Sequence, residues 1–213
     1  MLVKTFSGAV QGVEAELISV EVNAGGTVAA GKKLYWMVGL PDKAVNEGFQ
    51  RIEAALKNIK YKIPRLKLII NLAPANLKKE GSSYDLPIAL GVLASTYQIE
   101  AKGLDEYMIM GEISLDGTIK PIKGILPIAI LAKKNNYKGF ILPKENAKEA
   151  AIVKGLKVYG VSTLAEAIDV LKGEQHIEPL VYDAKEIFKR VSNKYTVDFS
   201  DVKGQENIKR ALE

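Results

Sequence analysis

At 213 residues, with 47% hydrophobic and 26% charged side chains, the chain can bury a substantial core, and its balance excludes disorder, collagen and a rod-like coiled coil. It has no cysteine, which rules out disulfides, zinc ribbons, iron–sulfur sites and thiol nucleophiles; its one histidine, His176, leaves almost nothing for a histidine-rich metal site or a Ser-His-Asp triad. The net charge of +5 permits a polyanionic partner without demanding one.

The first forty residues read as β. Residues Ala15 to Val22 alternate apolar and polar with period 2, a Gly/Ala-rich loop runs from Ala24 to Gly31, and a second apolar run covers Leu34 to Leu40. Pro41 breaks that run and Asp42 is placed as a helix N-cap. Val45, Phe49, Ile52, Leu56 and Ile59 then fall on one helical stripe. Glu47 with Arg51 and Glu53 with Lys57 are expected i,i+4 pairs.

Leu66 to Leu72 alternate as a strand, and an apolar helix is expected from Asp85 to Gln98, with Asp85 as its N-cap. Met108–Ser114 and Thr118–Lys123 flank Asp116-Gly117, the signature of a type I′ hairpin. A helix follows from Leu126 to Asn135, with Pro127 in its first turn. A strand (Phe140–Leu142), a helix (Glu145–Val153), a strand (Lys157–Val161) and a helix (Leu164–Leu171) come next. Thr163 and Glu166 are spaced as a capping box for the last.

The expected organisation is a folded domain over 1–173, a polar linker over 174–197, and the opening of a further module over 198–213. No signal core follows Lys4. The longest apolar stretch, Ile125 to Ala132, contains Pro127 and stops at Lys133, far short of the ~20 residues a bilayer span needs. A soluble, cytoplasmic protein is expected.

Gly26 to Lys33 nearly spells a phosphate-binding P-loop. Lys33 stands where a hydroxyl must hold Mg²⁺, and a β run follows instead of a helix, so the loop is read as a hairpin connection. Lys57, Lys60, Lys62, Arg65 and Lys67 cluster around Tyr61. They suit either phosphate contacts with Tyr61 as a stacking surface or a plainly solvated helix end. Ser82 and Ser83 stand just before an apolar helix. A serine there can act as a nucleophile if a base is in reach, or simply form a Gly/Ser turn.

Met110-Gly111-Glu112-Ile113-Ser114-Leu115-Asp116-Gly117, Pro121-Ile122-Lys123-Gly124 and Phe140-Ile141-Leu142-Pro143-Lys144-Glu145-Asn146 resemble the proteolytic domain of Lon-type proteases. Across nearly the whole chain a closer likeness holds. Met37 to Asp42, Ile70 to Ala75, Lys79-Glu80-Gly81 and Tyr84 to Ala89 resemble the amino-terminal domain of magnesium-chelatase-like AAA+ ATPases, the competence-protein M family. Asp198 to Glu206 resembles the entry to that family's ATPase module, with Val202, Gly204 and Gln205 near the adenine and the Walker motifs expected beyond Glu213.

This resemblance implies an α+β fold like ribosomal protein S5 domain 2, a mixed sheet with packed helices. It implies a full-length hexameric motor that uses ATP and Mg to move branched DNA, with this domain serving its own AAA+ module. Lon-type proteases pair a serine with a lysine. Aligned on Gly81 and on Pro121 to Gly124, the serine falls at Ser83 but the lysine position falls on Ile128, which accepts no proton. Lys123 and Lys133 are expected on different faces. The resemblance therefore implies a degenerate peptidase site at Ser83 and Ile128 with no catalytic residue.

Overall fold

Alternation in a half-buried strand sends one set of side chains to a core face, and the run at Ala15–Val22 lies inside the longer strand β2 (Glu14–Thr27), with Ile18, Val20 and Val22 fully buried. The computed structural model describes residues 1–29, 31–173, 177–180 and 202–212. They divide into two units, Met1–Val181 and Tyr182–Glu213. His176 and most of the expected linker lie outside the described residues.

The first unit is built on a mixed seven-stranded sheet of order β3-β4-β2-β1-β5-β8-β9. Its members are β1 (Leu2–Gln11), β2, β3 (Tyr35–Val38), β4 (Leu66–Ala73), β5 (Tyr107–Ile109), β8 (Gly139–Pro143) and β9 (Val158–Val161). β1 with β2 and β2 with β4 run antiparallel; β3 with β4, β1 with β5, β5 with β8 and β8 with β9 run parallel. β6 (Glu112–Ile113) and β7 (Ile119–Lys120) form a separate ribbon.

Helices α1 (Lys43–Asn58) and α2 (Asp85–Ser95) cover one face of the sheet, and every residue of α2 is buried. Thr5 of β1 points to that face and its Oγ1 donates to Pro87 O at 3.2 Å. The next inward position on the opposite face is Gly8, against which Ile128 of α3 (Ile125–Lys134) packs. α4 (Ala147–Ala150) and α5 (Leu164–Lys172) complete the unit. The segment 177–180 stays on it: Leu180 N–H donates to Val158 O at 2.8 Å, and Ile177 packs on the core. In the second unit the described residues form α6 (Glu206–Leu212) and the stretch before it. Among the described residues no helix is long and apolar enough to cross a membrane.

Several local expectations are corrected. Met108–Ser114 is not one strand: β5 ends at Ile109, and the N–H groups of Met110 and Gly111 donate to Ile141 O and Ser83 O. At Asp116-Gly117 only Gly117 has positive φ (87°). Gly117 N–H closes the turn onto Ser114 O, while Asp116 Oδ1 accepts from Thr118 N–H and Oγ1, so a tight turn with a left-handed glycine replaces type I′. α2 stops at Ser95 because Tyr97 turns left-handed (φ 60°). The helix expected over Glu145–Val153 shrinks to α4 after a 3-10 turn. Asn146 there bonds both backbone groups of Ile122 at 2.9 Å. Arg51 does not pair with Glu47, which meets Lys43 at 3.6 Å; it reaches Asp85 instead.

Gly48 shows why that ion pair fits. A Cβ on Gly48 would stand 2.3 Å from Asp85 Oδ1, so the bare backbone of α1 admits the carboxylate. Alanine in a helix ordinarily gains up to about 1 kcal/mol over glycine. Here Gly48→Ala is expected to lose about 1–3 kcal/mol through overpacking. A urea midpoint equal to or above that of the parent protein would contradict this.

On the sheet face opposite α2, Glu21 accepts from Asn71 Nδ2 at 3.0 Å and meets Lys4 Nζ at 3.0 Å. These contacts, Asn71 first, hold its carboxyl below the ordinary 4.5. A lowered folded-state value adds stability above 4.5 that is lost as pH falls through the folded value. Glu21→Gln should therefore narrow the difference between urea midpoints at pH 7 and pH 3; an unchanged difference would rule this contribution out.

Candidate functional site

The turn between β4 and α2 is held from two sides. Asp42 caps α1, its Oδ1 accepting Val45 N–H at 2.8 Å, and its Oδ2 accepts Gly81 N–H at 3.0 Å. The backbones cross-link as well: Asp42 N–H donates to Lys79 O and Lys79 N–H to Leu40 O. Gly39 (φ 95°) makes the close approach possible, since a Cβ there would fall 2.0 Å from Leu72 O.

Asp85 is not an N-cap. Its side chain is 1% exposed and takes Arg51 Nε at 2.8 Å, Arg51 Nη2 at 3.1 Å and Ile113 N–H at 3.3 Å. Burial pushes its carboxyl upward, while the Arg51 guanidinium beside it opposes that shift. Three N–H donors thus converge on one carboxylate. Ser82 Oγ donates to Glu112, so the first of the two serines is committed to the β6 ribbon.

Ser83 opens onto a cleft of about 380 Å³ shared with Gly8 to Gln11 of β1, Tyr84, Met110, Lys123 and Ile128. The structure thus brings Ser83 and Ile128 together. It also places Lys123 on the same cleft, correcting the expectation that this lysine faces elsewhere: it precedes α3 rather than lying on it. Lys133 is elsewhere, its Nζ donating to Gly155 O at 2.9 Å. Ser83 Oγ has no hydrogen-bond partner among the described residues, and its carbonyl accepts Gly111 N–H.

The lysines lining this cleft are Lys78 and Lys123. Lys123 is exposed. Lys78 meets Glu80 at 2.6 Å, and that hydrogen bond holds its ammonium above the ordinary range, the opposite of what a base needs. Tyr84 is buried with its OH donating to Gly8 O at 3.4 Å, and burial pushes its phenol well up. Among the described residues, Lys79 is the one lysine whose ammonium burial pushes down. It is fully buried, donates to Pro74 O and does not line the cleft. The fold thus separates two neighbouring lysines, Lys78 exposed and Lys79 buried.

Lys57, Lys60, Lys62, Arg65 and Lys67 are all exposed around the end of α1 and the start of β4. Tyr61 does not offer a free ring, because it packs against the core. The exposed aromatic beside the patch is Trp36 on β3, with Lys67 Nζ 5.2 Å from its ring centroid. The alternation of β3 carried the signal: Tyr35 stacks on Phe49 at 3.9 Å, which turns Trp36 outward.

Val202, Gly204 and Gln205 are exposed just before α6, Gly204 and Gln205 both at positive φ. They offer no phosphate cradle of their own and do not by themselves fit a nucleotide. Gly26 to Lys33 leads into β3, not a helix. Among the described residues no cluster of carboxylates and imidazoles could hold a metal ion.

The family model for subunit ChlI of Mg-chelatase matches residues 20–146. The chain belongs to this family. Among curated relatives it is 37% identical over 207 residues to competence protein ComM of Haemophilus influenzae, covering 97% of the chain and 40% of that protein. It is 39% identical over 203 residues to YifB of Escherichia coli, covering 95% of the chain and 38% of that protein. The chain thus spans about two fifths of the length of these relatives. A likeness to Lon protease 2 of Bacillus subtilis, 34% identical over 100 residues, covers 45% of the chain and 17% of that protein.

Proposed function

We propose that this chain is the non-catalytic amino-terminal domain of a magnesium-chelatase-like AAA+ ATPase, with a fold like ribosomal protein S5 domain 2. The full-length protein is then a cytoplasmic, hexameric, ATP- and Mg-dependent motor that moves branched DNA in recombination and natural transformation. The competence protein among the relatives supports the second half of this reading. Its first half rests on one observation: an isoleucine, Ile128, lines the cleft beside Ser83. A serine without a base loses the rate that proton transfer supplies, typically 10²–10⁴-fold. In this reading the nucleotide is held by residues of the ATPase module, and Val202, Gly204 and Gln205 supply only its border.

A serine-reactive fluorophosphonate separates this from a Lon-like peptidase that would use Ser83 with a displaced lysine. Labelling of the parent chain should not exceed that of Ser83→Ala; labelling that disappears on that substitution would overturn the proposal.

A second reading, a nucleic-acid-binding module, is favoured by the exposed Trp36 beside Lys67. Basic side chains with an open ring suit single strands. If it holds, an oligonucleotide should quench the fluorescence of the single tryptophan, and log affinity should fall linearly with log salt. Changing Lys60, Lys62 and Lys67 to alanine should lower that slope by about 2. Salt-independent affinity would dismiss a phosphate-led contact.

A further inference from the structure

The cleft beside Ser83 has a wall that the degenerate-site reading does not use, the far end of β1. Met1 and Ala24 exchange both backbone hydrogen bonds across the β1–β2 pair. The register runs without a shift to Gln11 opposite Glu14. Hydrogen-bonded pairs alternate along an antiparallel ladder, so odd residues of β1 bond to β2 and even residues turn their N–H and C=O to the other side.

On that other side Phe6 pairs with Met108 of β5, but the neighbouring chain does not follow β1 further. After Ile109 it leaves, and the amides of Met110 and Gly111 go to Ile141 and Ser83. The backbone groups of Val10 therefore face the cleft, and neither has a hydrogen-bond partner among the described residues. Gly8 O beside them takes only the long contact from Tyr84.

The side chains bordering this edge have a definite chemistry. Leu77, Met110 and Ile128 give apolar contacts. Lys78 is neutralised by Glu80, whereas Lys123 is exposed and has no ion pair among the described residues. An unpaired strand edge offers main-chain hydrogen bonds to one kind of ligand, an extended backbone, and the flanking pockets choose its side chains. The volume, about 380 Å³, lies within the range of ligand clefts.

We propose that this cleft is a receptor site for an extended peptide segment of a partner polypeptide, which pairs with β1 at Val10, lays an apolar side chain against Ile128 and sets a carboxylate against Lys123. The site binds and does not cut. It goes beyond the non-catalytic reading, and the two fail separately: cleavage of a bound peptide would overturn that reading while supporting this site.

The test uses fluorescein-labelled decapeptides with a Val-Leu-Val centre flanked by either glutamate or lysine, titrated against the 213-residue chain by fluorescence anisotropy. The glutamate set should bind more tightly, and Lys123→Glu, at an exposed position, should reverse that preference by about tenfold or more. Methylation of alternate peptide nitrogens should abolish binding in one register and spare it in the other. Val10→Pro removes an N–H that β2 does not use and should weaken binding by about tenfold. The proposal is overturned if neither set binds at millimolar protein. It is equally overturned if binding ignores both Lys123→Glu and N-methylation, or if it follows charge but is indifferent to methylation in either register.

Discussion

The contact on which the rest of the first unit depends is the buried pair between Arg51 and Asp85. α1 and α2 are separated in sequence by an entire strand and a long turn, and the two-pronged guanidinium–carboxylate contact ties the start of α2 to the middle of α1. The third bond, from Ile113 N–H, brings in the β6 ribbon. Removing one partner of such a pair leaves an uncompensated charge indoors, which costs about 3–5 kcal/mol. The pair needs the missing side chain of Gly48 to form at all. Around it, Asp42 joins the same α1 to Gly81, so the turn carrying Ser82, Ser83 and Tyr84 is clamped at both ends. The position of Ser83 is thus set by how the two helices dock.

Much of the architecture was legible in the residues because its periods are clean. The stripe of α1, the alternation of β2 and β4, and the Thr163 cap of α5 all emerge where residue pattern places them, since each is decided locally. β1 could not be delimited in the same way. Its inward positions include Thr5 and Ser7, polar residues fully buried by packing against α2, and Gly8, emptied to admit Ile128. Alternation cannot register a strand whose buried face is not apolar. Asp85 was misjudged for a related reason: an acidic residue at a helix start reads as a cap, and the partner that decides otherwise is remote. A glycine in the middle of the most amphipathic helix was the available hint.

The cleft was legible only through likeness. Pattern alone could not bring Ser83, the end of β1 and the start of α3 to one place, because these lie on three distant stretches joined by tertiary packing. Likeness paired Ser83 with Ile128, and both line the cleft; spacing along the helix set Lys123 on another face, yet its side chain leaves the turn before the helix begins. The same limit applied to the basic patch. Counting charges found the lysines, whereas which aromatic stands open beside them depended on Tyr35 taking the inward place on β3.

The total burial of α2 has a consequence for how the chain comes together. A helix without a polar face has no stable life in water, so its shelter must be in place when it forms. Most of that shelter is β1, β2 and α1, made earlier in the chain, but the β6 ribbon comes later and β1 is pinned on its far side only when Met108 arrives opposite Phe6. Such non-local closure is entropically slow. During synthesis the most water-averse segment is therefore exposed before the strand that locks its cradle has been made, and the interval between them is when the nascent chain most needs protection from its neighbours.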